Sequence, residues 1–378
     1  MAAQVKRCVR CIQTASYPGI QFDSGGVCSV CRAFERRVAA QKRRNEAEFL
    51  RILDKARKRN PKYNALVGIS GGKDSSYVLH LMVRRYRANV LAFTHDNGFY
   101  ADEARQNVDT MVKALGVEHR YVGQDKDLFR RIHRALLKNR CADLCLGCPT
   151  GGIAAANELV MKHDIPIVVW GFSPQTDPIF PLKITATYDY RYLLNAVKPY
   201  VKRYELSGFK HAALPWLFYT LVVRGARYLF LPEYVDWNER EILKTLEDQY
   251  GWVDHGKGEP HFDCVLSPVY DYFLNQRFGT SRVVEQLSQM VRAGQLAREE
   301  ALARSETQDP VEEPVAAVDE ICRRLDITRD DLEPFLRGAV KDYRHFKGYT
   351  SLFHRFSWMF WLSHKLGLIS ETPYLKYR

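Results

Sequence analysis

The run from Ala65 to Met82 constrains this chain more than any other feature. Ala65 to Ser70 is a short apolar stretch of strand type, Gly71-Gly72 interrupts it, and Ser75 to Met82 takes up helical periodicity. A strand, a glycine turn and a helix start in succession expose backbone N–H groups and the positive end of a helix dipole, which suits phosphate. Side chains at the turn would obstruct an anion, while Ser70, Ser75 and Ser76 can add hydroxyl donors. Asp74 repels phosphate, so its sensible role runs through Mg2+. The run has neither the G-x4-G-K-S/T spacing of a Walker loop nor the G-x-G-x-x-G of a dinucleotide fold.

The residues downstream alternate between strand and helix patterns. Asn89 to Thr94 reads as a strand, followed by His95-Asp96-Asn97-Gly98. Asp102 to Leu115 reads as a helix, Glu118 to Val122 as a strand and Cys148 to His163 as a helix. Ile165 to Trp170 is a fourth strand, running into Gly171-Phe172-Ser173-Pro174-Gln175. This order predicts an α/β fold, a parallel sheet with helices on both faces. Ligands of such sheets sit beyond the carboxyl ends of the strands, where Ser70, Asp96 and Gly171 all fall.

The cysteines form two groups. Cys8, Cys11, Cys28 and Cys31 make two C-x2-C pairs, with turn residues Tyr17-Pro18-Gly19 and Ser24-Gly25-Gly26 between them. Each pair can aim two thiolates at one ion, so the four predict a closed, structural zinc site in a small β-ribbon. The second group is Cys141, Cys145 and Cys148, with Cys264 far downstream in His261-Phe262-Asp263-Cys264. Cys145, Cys148 and Cys264 suit an iron–sulfur cluster with one open iron, a second zinc or redox thiols, and spacing does not choose. Cys322, alone in a helical pattern, reads as a buried small hydrophobe.

Composition excludes some classes. The chain has 378 residues, enough for two or three domains, and its 46% hydrophobic content rules out wholesale disorder. A formal net charge of +12 favours anionic partners such as nucleotides, phosphosugars, nucleic acid or an acidic membrane. The opening residues Met1–Val5 lead into a basic segment without an apolar signal region, so a cytoplasmic location is expected. Leu214 to Leu231 is the longest apolar stretch, but Arg224 and Arg227 argue against a membrane span and favour a core or interface helix. Arg32 to Arg59 carries eleven basic residues against four acids and reads as a solvated helical connector rather than an RNA stripe. The aromatics Phe346, Phe353, Phe356, Trp358, Phe360 and Trp361 in the tail Tyr343 to Arg378 stand at helical spacing and read as core. Thr328-x-x-Asp331 is a weak capping box.

The run Ser70-Gly71-Gly72-Lys73-Asp74-Ser75 resembles the S-G-G-x-D-S signature of the PP-loop (HUP-like) ATP pyrophosphatases. Arg7–Cys11, Gly19–Asp23, Gly26–Cys31, Ile165–Gly171, Phe262–Cys264, Arg277–Gly279 and Arg298–Ala301 resemble the N-acetyl sugar amidotransferases of lipopolysaccharide O-antigen synthesis, over about residues 7 to 337. That resemblance implies an enzyme that adenylates an acetamido group of a nucleotide-linked sugar and displaces AMP with ammonia. A glutaminase and its ammonia-channelling companion would supply the ammonia. It implies ATP and Mg2+ at Ser70, Gly71, Gly72, Asp74, Ser75 and Ser76, adenosine bordered by Asp96 and Gly171, and catalytic parts for Lys73, Asp74, Cys145, Cys148 and Cys264. After the fourth strand this chain departs from the family's acidic segment, and its last forty or so residues look like an addition. The second implied reading is a PP-loop sulfurtransferase acting on tRNA or a small molecule, with a 4Fe–4S cluster on Cys145, Cys148 and Cys264. The third is a non-catalytic RNA-binding or scaffold protein. The expected units are a zinc ribbon (1–33), a basic connector (34–60), a PP-loop domain (61–275) and a helical C-terminal region (276–378).

Overall fold

A computed structural model describes residues 6–40, 45–123, 125–172, 177, 189–255, 262–309 and 311–366, with the side chains of 37–40 and 351 excepted. Met1–Val5, part of the basic connector, Ser173–Thr176, His261 and the tail beyond Leu366 therefore lie outside the described residues.

Five strands form one parallel sheet: β1 (Ala65–Gly68), β2 (Val90–Asp96), β3 (Glu118–Gly123), β4 (Ile167–Trp170) and β5 (Arg227–Phe230). Their order across the sheet is β3-β2-β1-β4-β5. Ala65 of β1 pairs with Val90 on one side and Ile167 on the other, so β1 is central and buried on both faces. That position explains its unbroken apolar run. Ala65, Val67, Val90 and Ala92 turn toward one apolar layer, which includes Phe49, Ile52 and Leu53 of the helix Glu46–Arg59. Leu66, Leu91, Phe93 and Val168 turn toward the opposite layer, beneath the helix Gly147–His163. The order reverses at β1, and the loop leaving β1 lies at that switch point.

A third core joins the helix Lys126–Lys138 to the helices Tyr190–Ala196, Ser267–Phe278, Val315–Leu325 and Arg329–Arg337. Cys141 and Cys322 are both buried in it as small apolar side chains. The Thr328 cap is formed in both directions, with Asp331 N donating to Thr328 Oγ1 at 3.2 Å and Thr328 N to Asp331 Oδ2 at 2.9 Å.

Two expectations are corrected. Leu214 to Leu231 is not a core helix: a short helix, Leu214–Phe218, widens through Tyr219–Val223 and gives way to β5. Gly225, at φ +61°, makes the break, and Phe218, Val222 and Val223 remain more than half exposed. Of the tail aromatics, Phe346 packs against the third core beside Tyr192, but those further along do not form core. Phe356, Trp358 and Trp361 are exposed along the helices Thr350–Arg355 and Ser357–Lys365 and the residue joining them. Among the described residues no helix is long and apolar enough to cross a membrane.

Candidate nucleotide and cysteine site

The loop from Ser70 to Gly72 leaves β1 and enters the helix Lys73–His80. Gly71 takes φ +79°, and a Cβ there would stand 2.2 Å from the Ala104 carbonyl oxygen, so only glycine fits. Its own carbonyl accepts from Trp252 Nε1 at 2.8 Å and Asn107 Nδ2 at 3.3 Å. Gly72 has ordinary dihedrals and room for a side chain, so the steric demand falls on one glycine of the pair. The Ser75 hydroxyl is used inside the loop, accepting from Ser70 N at 3.0 Å and donating to Gly72 O at 3.1 Å. Ser76 Oγ is buried without a partner.

Asp74 is held on both oxygens. Trp237 Nε1 donates to Oδ1 at 2.8 Å, and the Lys73 ammonium sits 3.0 Å from Oδ2. Lys73 also faces Glu239 at 3.6 Å, and Arg304 pairs with that carboxylate at 3.4 Å. Burial alone would lower the Lys73 ammonium, but Asp74 and Glu239 outweigh it and hold the group charged. Gly171, at the exit of β4, packs against the loop, since a Cβ would approach the Asp74 backbone to 2.9 Å. Asp96 ends β2 with Gly98 N on Oδ1 at 3.0 Å and Arg105 on Oδ2 at 2.8 Å. Desolvation would raise this carboxyl, yet Arg105 and Gly98 N bring it below the usual range.

The remote cysteine reaches the same place through backbone pairing. Ala101 N donates to Asp263 O at 3.0 Å, Val265 N donates to Phe99 O at 2.9 Å, and Tyr100 bridges Cys264. Burial raises the Asp263 carboxyl, and a hydrogen bond with Ser70 of the loop draws it partly back. Cys145, Cys148 and Cys264 are half-buried neighbours whose charges act on one another. Asn97 Nδ2 lies 3.0 Å from Cys148 Sγ, and Arg282, clamped by Asp271 at 2.7 Å, lies 4.0 Å from Cys145 Sγ. Burial pushes the Cys145 thiol up to about 12 and the Cys264 thiol to about 11, so as bare thiols they stay protonated at neutral pH. Among the described residues, the group of ligand atoms lying within 4.8 Å of one another is the N-terminal four, and Cys145, Cys148 and Cys264 do not form such a group. Trp237, Glu239, Trp252, Asn107 and Arg282 carry no motif in the sequence, and each joins the site through long-range contacts.

The N-terminal thiols form a separate centre. The Sγ atoms of Cys8, Cys11, Cys28 and Cys31 are all within 4.8 Å of one another and buried. The Cys8–Cys31 and Cys11–Cys28 separations are both 3.9 Å. Zinc–sulfur bonds of ~2.3 Å in a tetrahedron place sulfurs ~3.8 Å apart, so the set fits zinc. Arg292 lies 3.3 Å from Cys11 Sγ, and Arg298 donates to the Cys8 and Cys11 carbonyls, tying the ribbon to the C-terminal helices. Beneath the ribbon, Glu285 is buried against Tyr17, and its Oε1 has no partner. Burial pushes its carboxyl from 4.5 up to about 8. The folded chain then keeps a proton that the unfolded chain releases, so stability falls as pH rises from about 4.5 to about 8. The slope is at most about 1.4 kcal/mol per pH unit. Glu285→Gln is expected to flatten that dependence in urea titrations at pH 5 and pH 8; an unchanged dependence would assign the proton elsewhere.

The family described as the LPS biosynthesis protein WbpG-like, C-terminal domain, matches residues 249–360. The match begins before the Asp263-Cys264 segment and includes Arg282. It also takes in the aromatic helices up to Phe360, so most of the described tail falls within the match and is not an addition to it. An uncharacterized protein of Methanocaldococcus jannaschii is 23% identical over 298 residues, spanning 78% of this chain and 91% of its own length. Among solved structures, the U34-tRNA thiolase NcsA of Methanococcus maripaludis with its 4Fe–4S cluster aligns over 82% of this chain and 100% of its own. Its identity is 13% and its TM-score 0.29. A predicted subunit of tRNA methyltransferase from Methanocaldococcus jannaschii aligns over 58% of this chain and 91% of its own, at 12% identity and a TM-score of 0.25. Scores of this size carry no argument about the site. The structure itself is a parallel α/β sheet with a glycine loop at its switch point, an N-terminal four-cysteine centre and a helical C-terminal part that overlaps the WbpG-like match.

Proposed function

We propose that this chain is an ATP-dependent, AMP-forming amidotransferase that converts the N-acetyl group of a nucleotide-linked sugar into an acetamidino group. The observation that carries the reading is the direct link between the loop and the WbpG-like segment, where Trp252 Nε1 donates to Gly71 O at 2.8 Å. The loop Ser70–Ser76 holds the pyrophosphate moiety of ATP, and Asp96 and Gly171 border the adenosine. Asp74 supplies the one carboxylate that Mg2+ takes beside phosphate oxygens, while Lys73 turns from Asp74 to the phosphates. Bound there, Mg2+ would neutralise charge on the phosphates.

The acetamido oxygen attacks the α-phosphorus, forming an O–P bond as the bond to the β-phosphate oxygen breaks and pyrophosphate leaves. Ammonia then adds to the activated carbon, AMP departs with the former carbonyl oxygen, and loss of protons leaves the amidine. An amide oxygen is a poor leaving group and an adenylate a good one, so the chain's own work is positioning and charge stabilisation. A glutaminase and an ammonia-channelling partner in the cytoplasm supply the nitrogen, and the N-terminal zinc centre is structural.

The second reading is sulfur transfer to tRNA or a small molecule. Its support is the mutual electrostatic influence of the half-buried Cys145, Cys148 and Cys264, the residue types that a 4Fe–4S cluster takes as ligands. Mass spectrometry of anaerobic reactions with ATP, Mg2+ and a panel of N-acetylated nucleotide sugars separates the two, with ammonium or sulfide in parallel and bulk tRNA in another arm. Replacement of a sugar carbonyl oxygen by NH, with AMP and pyrophosphate released, is the expected result. Sulfur in tRNA with every sugar unchanged would overturn it. Asp74→Ala with normal turnover would remove the loop from the reaction.

A further inference from the structure

We infer that a second anion site lies beside the cysteines, where Lys126, Arg130 and Arg324 receive the diphosphate of the nucleotide-linked substrate. The inference rests on the amidotransferase reading for the identity of that substrate, and on geometry for the site itself.

A cavity of about 260 Å³ opens between the end of β2, the start of the helix Lys126–Lys138 and the helix Val315–Leu325 of the WbpG-like domain. Its walls carry three cations, of which Arg130 pairs with Asp127, Arg324 with Glu320 at 2.6 Å, and Lys126 stands loosely 3.7 Å from Asp96. Arg324 donates to the carbonyls of Gly98 at 2.9 Å and Tyr100 at 3.4 Å, so the WbpG-like domain closes the cavity and fixes one charge in it. Lys126 is 72% exposed and stands 3.7 Å from Asp96, whose closer partner is Arg105. It is the cation with least to give up on meeting a ligand. The first turn of a 13-residue helix adds its positive dipole end to the same wall.

Asn97 connects this cavity to the cysteines. It lines the cavity, and its amide nitrogen lies 3.0 Å from Cys148 Sγ. A ligand held here is one side chain from the thiols. No residue of the Ser70–Ser76 loop lines the cavity, so ATP and this anion bind apart. The volume is below the ~300–1,000 Å³ of a pocket that encloses a whole small molecule, as befits a subsite for the charged part of a larger one. Two adjacent phosphates match three convergent cations better than a lone carboxylate does, and arginine fits phosphate oxygens in a bidentate manner.

The test is calorimetric titration of the full-length chain, with the ATP loop first saturated by a non-hydrolysable ATP analogue. The probes are UDP and UDP-N-acetylglucosamine, with bulk tRNA in a separate arm. Wild type is expected to bind UDP, and Lys126→Ala and Arg130→Ala each to weaken it roughly tenfold while leaving the ATP analogue's affinity within about a factor of two. Both side chains reach solvent, so neither variant depends on repacking a core. Failure of wild type to bind UDP, or equal affinity in the variants, would overturn the site whatever product the reaction assay reveals. Loss of tRNA binding in the variants with no response to UDP would also overturn it, assigning the cavity to a nucleic-acid backbone. UDP binding lost in the variants, in a chain that thiolates tRNA, would sustain the anion site and refute the amidotransferase reading alone.

Discussion

Gly71→Ala is expected to weaken binding of a non-hydrolysable ATP analogue by about a hundredfold, equivalent to ~3 kcal/mol. Two costs combine at this position. The backbone holds φ +79°, where an L-residue pays ~1–2 kcal/mol. The new methyl also meets a backbone oxygen, Ala104 O, at 2.2 Å, and a peptide carbonyl inside the helix Asp102–Leu115 cannot swing aside as a side chain would. Either the loop or the helix must move. The loop is pinned by Trp252 and Asn107 on the Gly71 carbonyl, so the strain spreads into the N–H groups proposed to hold phosphate. Gly116→Ala is the matched control. It has φ +65° with nothing within 4 Å of the added Cβ, so it should cost ~1 kcal/mol in urea and leave the analogue's affinity unchanged. A Gly71→Ala chain that binds the analogue as wild type does would mean that phosphate is held elsewhere.

The glycine loop after β1 and the first four strands were legible because each is written locally. Asp102–Leu115 begins and ends where its apolar period does, and Gly116 caps it in the left-handed conformation. β5 was hidden because Arg227–Phe230 continues an apolar run, and only the break at Gly225 separates helix from strand. Helical spacing of the tail aromatics told which side chains share a face. It did not tell whether anything covers that face, and Trp358 and Trp361 stand exposed.

The site divides in the same way. Ser70 to Asp74 and the cysteines announce themselves by type and spacing. Trp237 and Trp252 reach the loop from 163 and 181 residues away, and no local pattern records such a contact. Lys73-Asp74 was visible as a motif, whereas Glu239, which turns the pair into a charge network with Arg304, was not. Asp96, read as a border of the adenosine, also carries a loose contact to Lys126, and that contact opens onto the second anion site.

Removing the zinc proposed for the four-cysteine centre is expected to cause the largest loss of stability. Without an ion, four buried sulfurs face one another, and the ribbon's isolated strand contacts are two single bridges, Arg7–Thr14 and Phe22–Cys28. Binding energy at such a site is folding energy, ~10–16 kcal/mol in small zinc peptides, and little else here replaces it. The loss does not stay in the ribbon. Gln13 donates to Thr280 at 3.1 Å, Thr14 donates to Gly279 O at 3.0 Å, and Ile12 is buried against Val283, Val284, Leu287 and Met290 of the helix Arg282–Arg292. When the ribbon opens, that apolar surface is exposed, and the same helix begins with Arg282 beside Cys145. Elemental analysis should find one zinc per chain on this centre, and Cys11→Ser or a strong chelator should lower the melting temperature by on the order of 10 °C. The fraction that stays folded should keep its KM for ATP, because the thiolates are closed around the ion and offer no position to substrate. A selective rise in that KM, with melting unchanged, would instead make the N-terminal centre part of the nucleotide site.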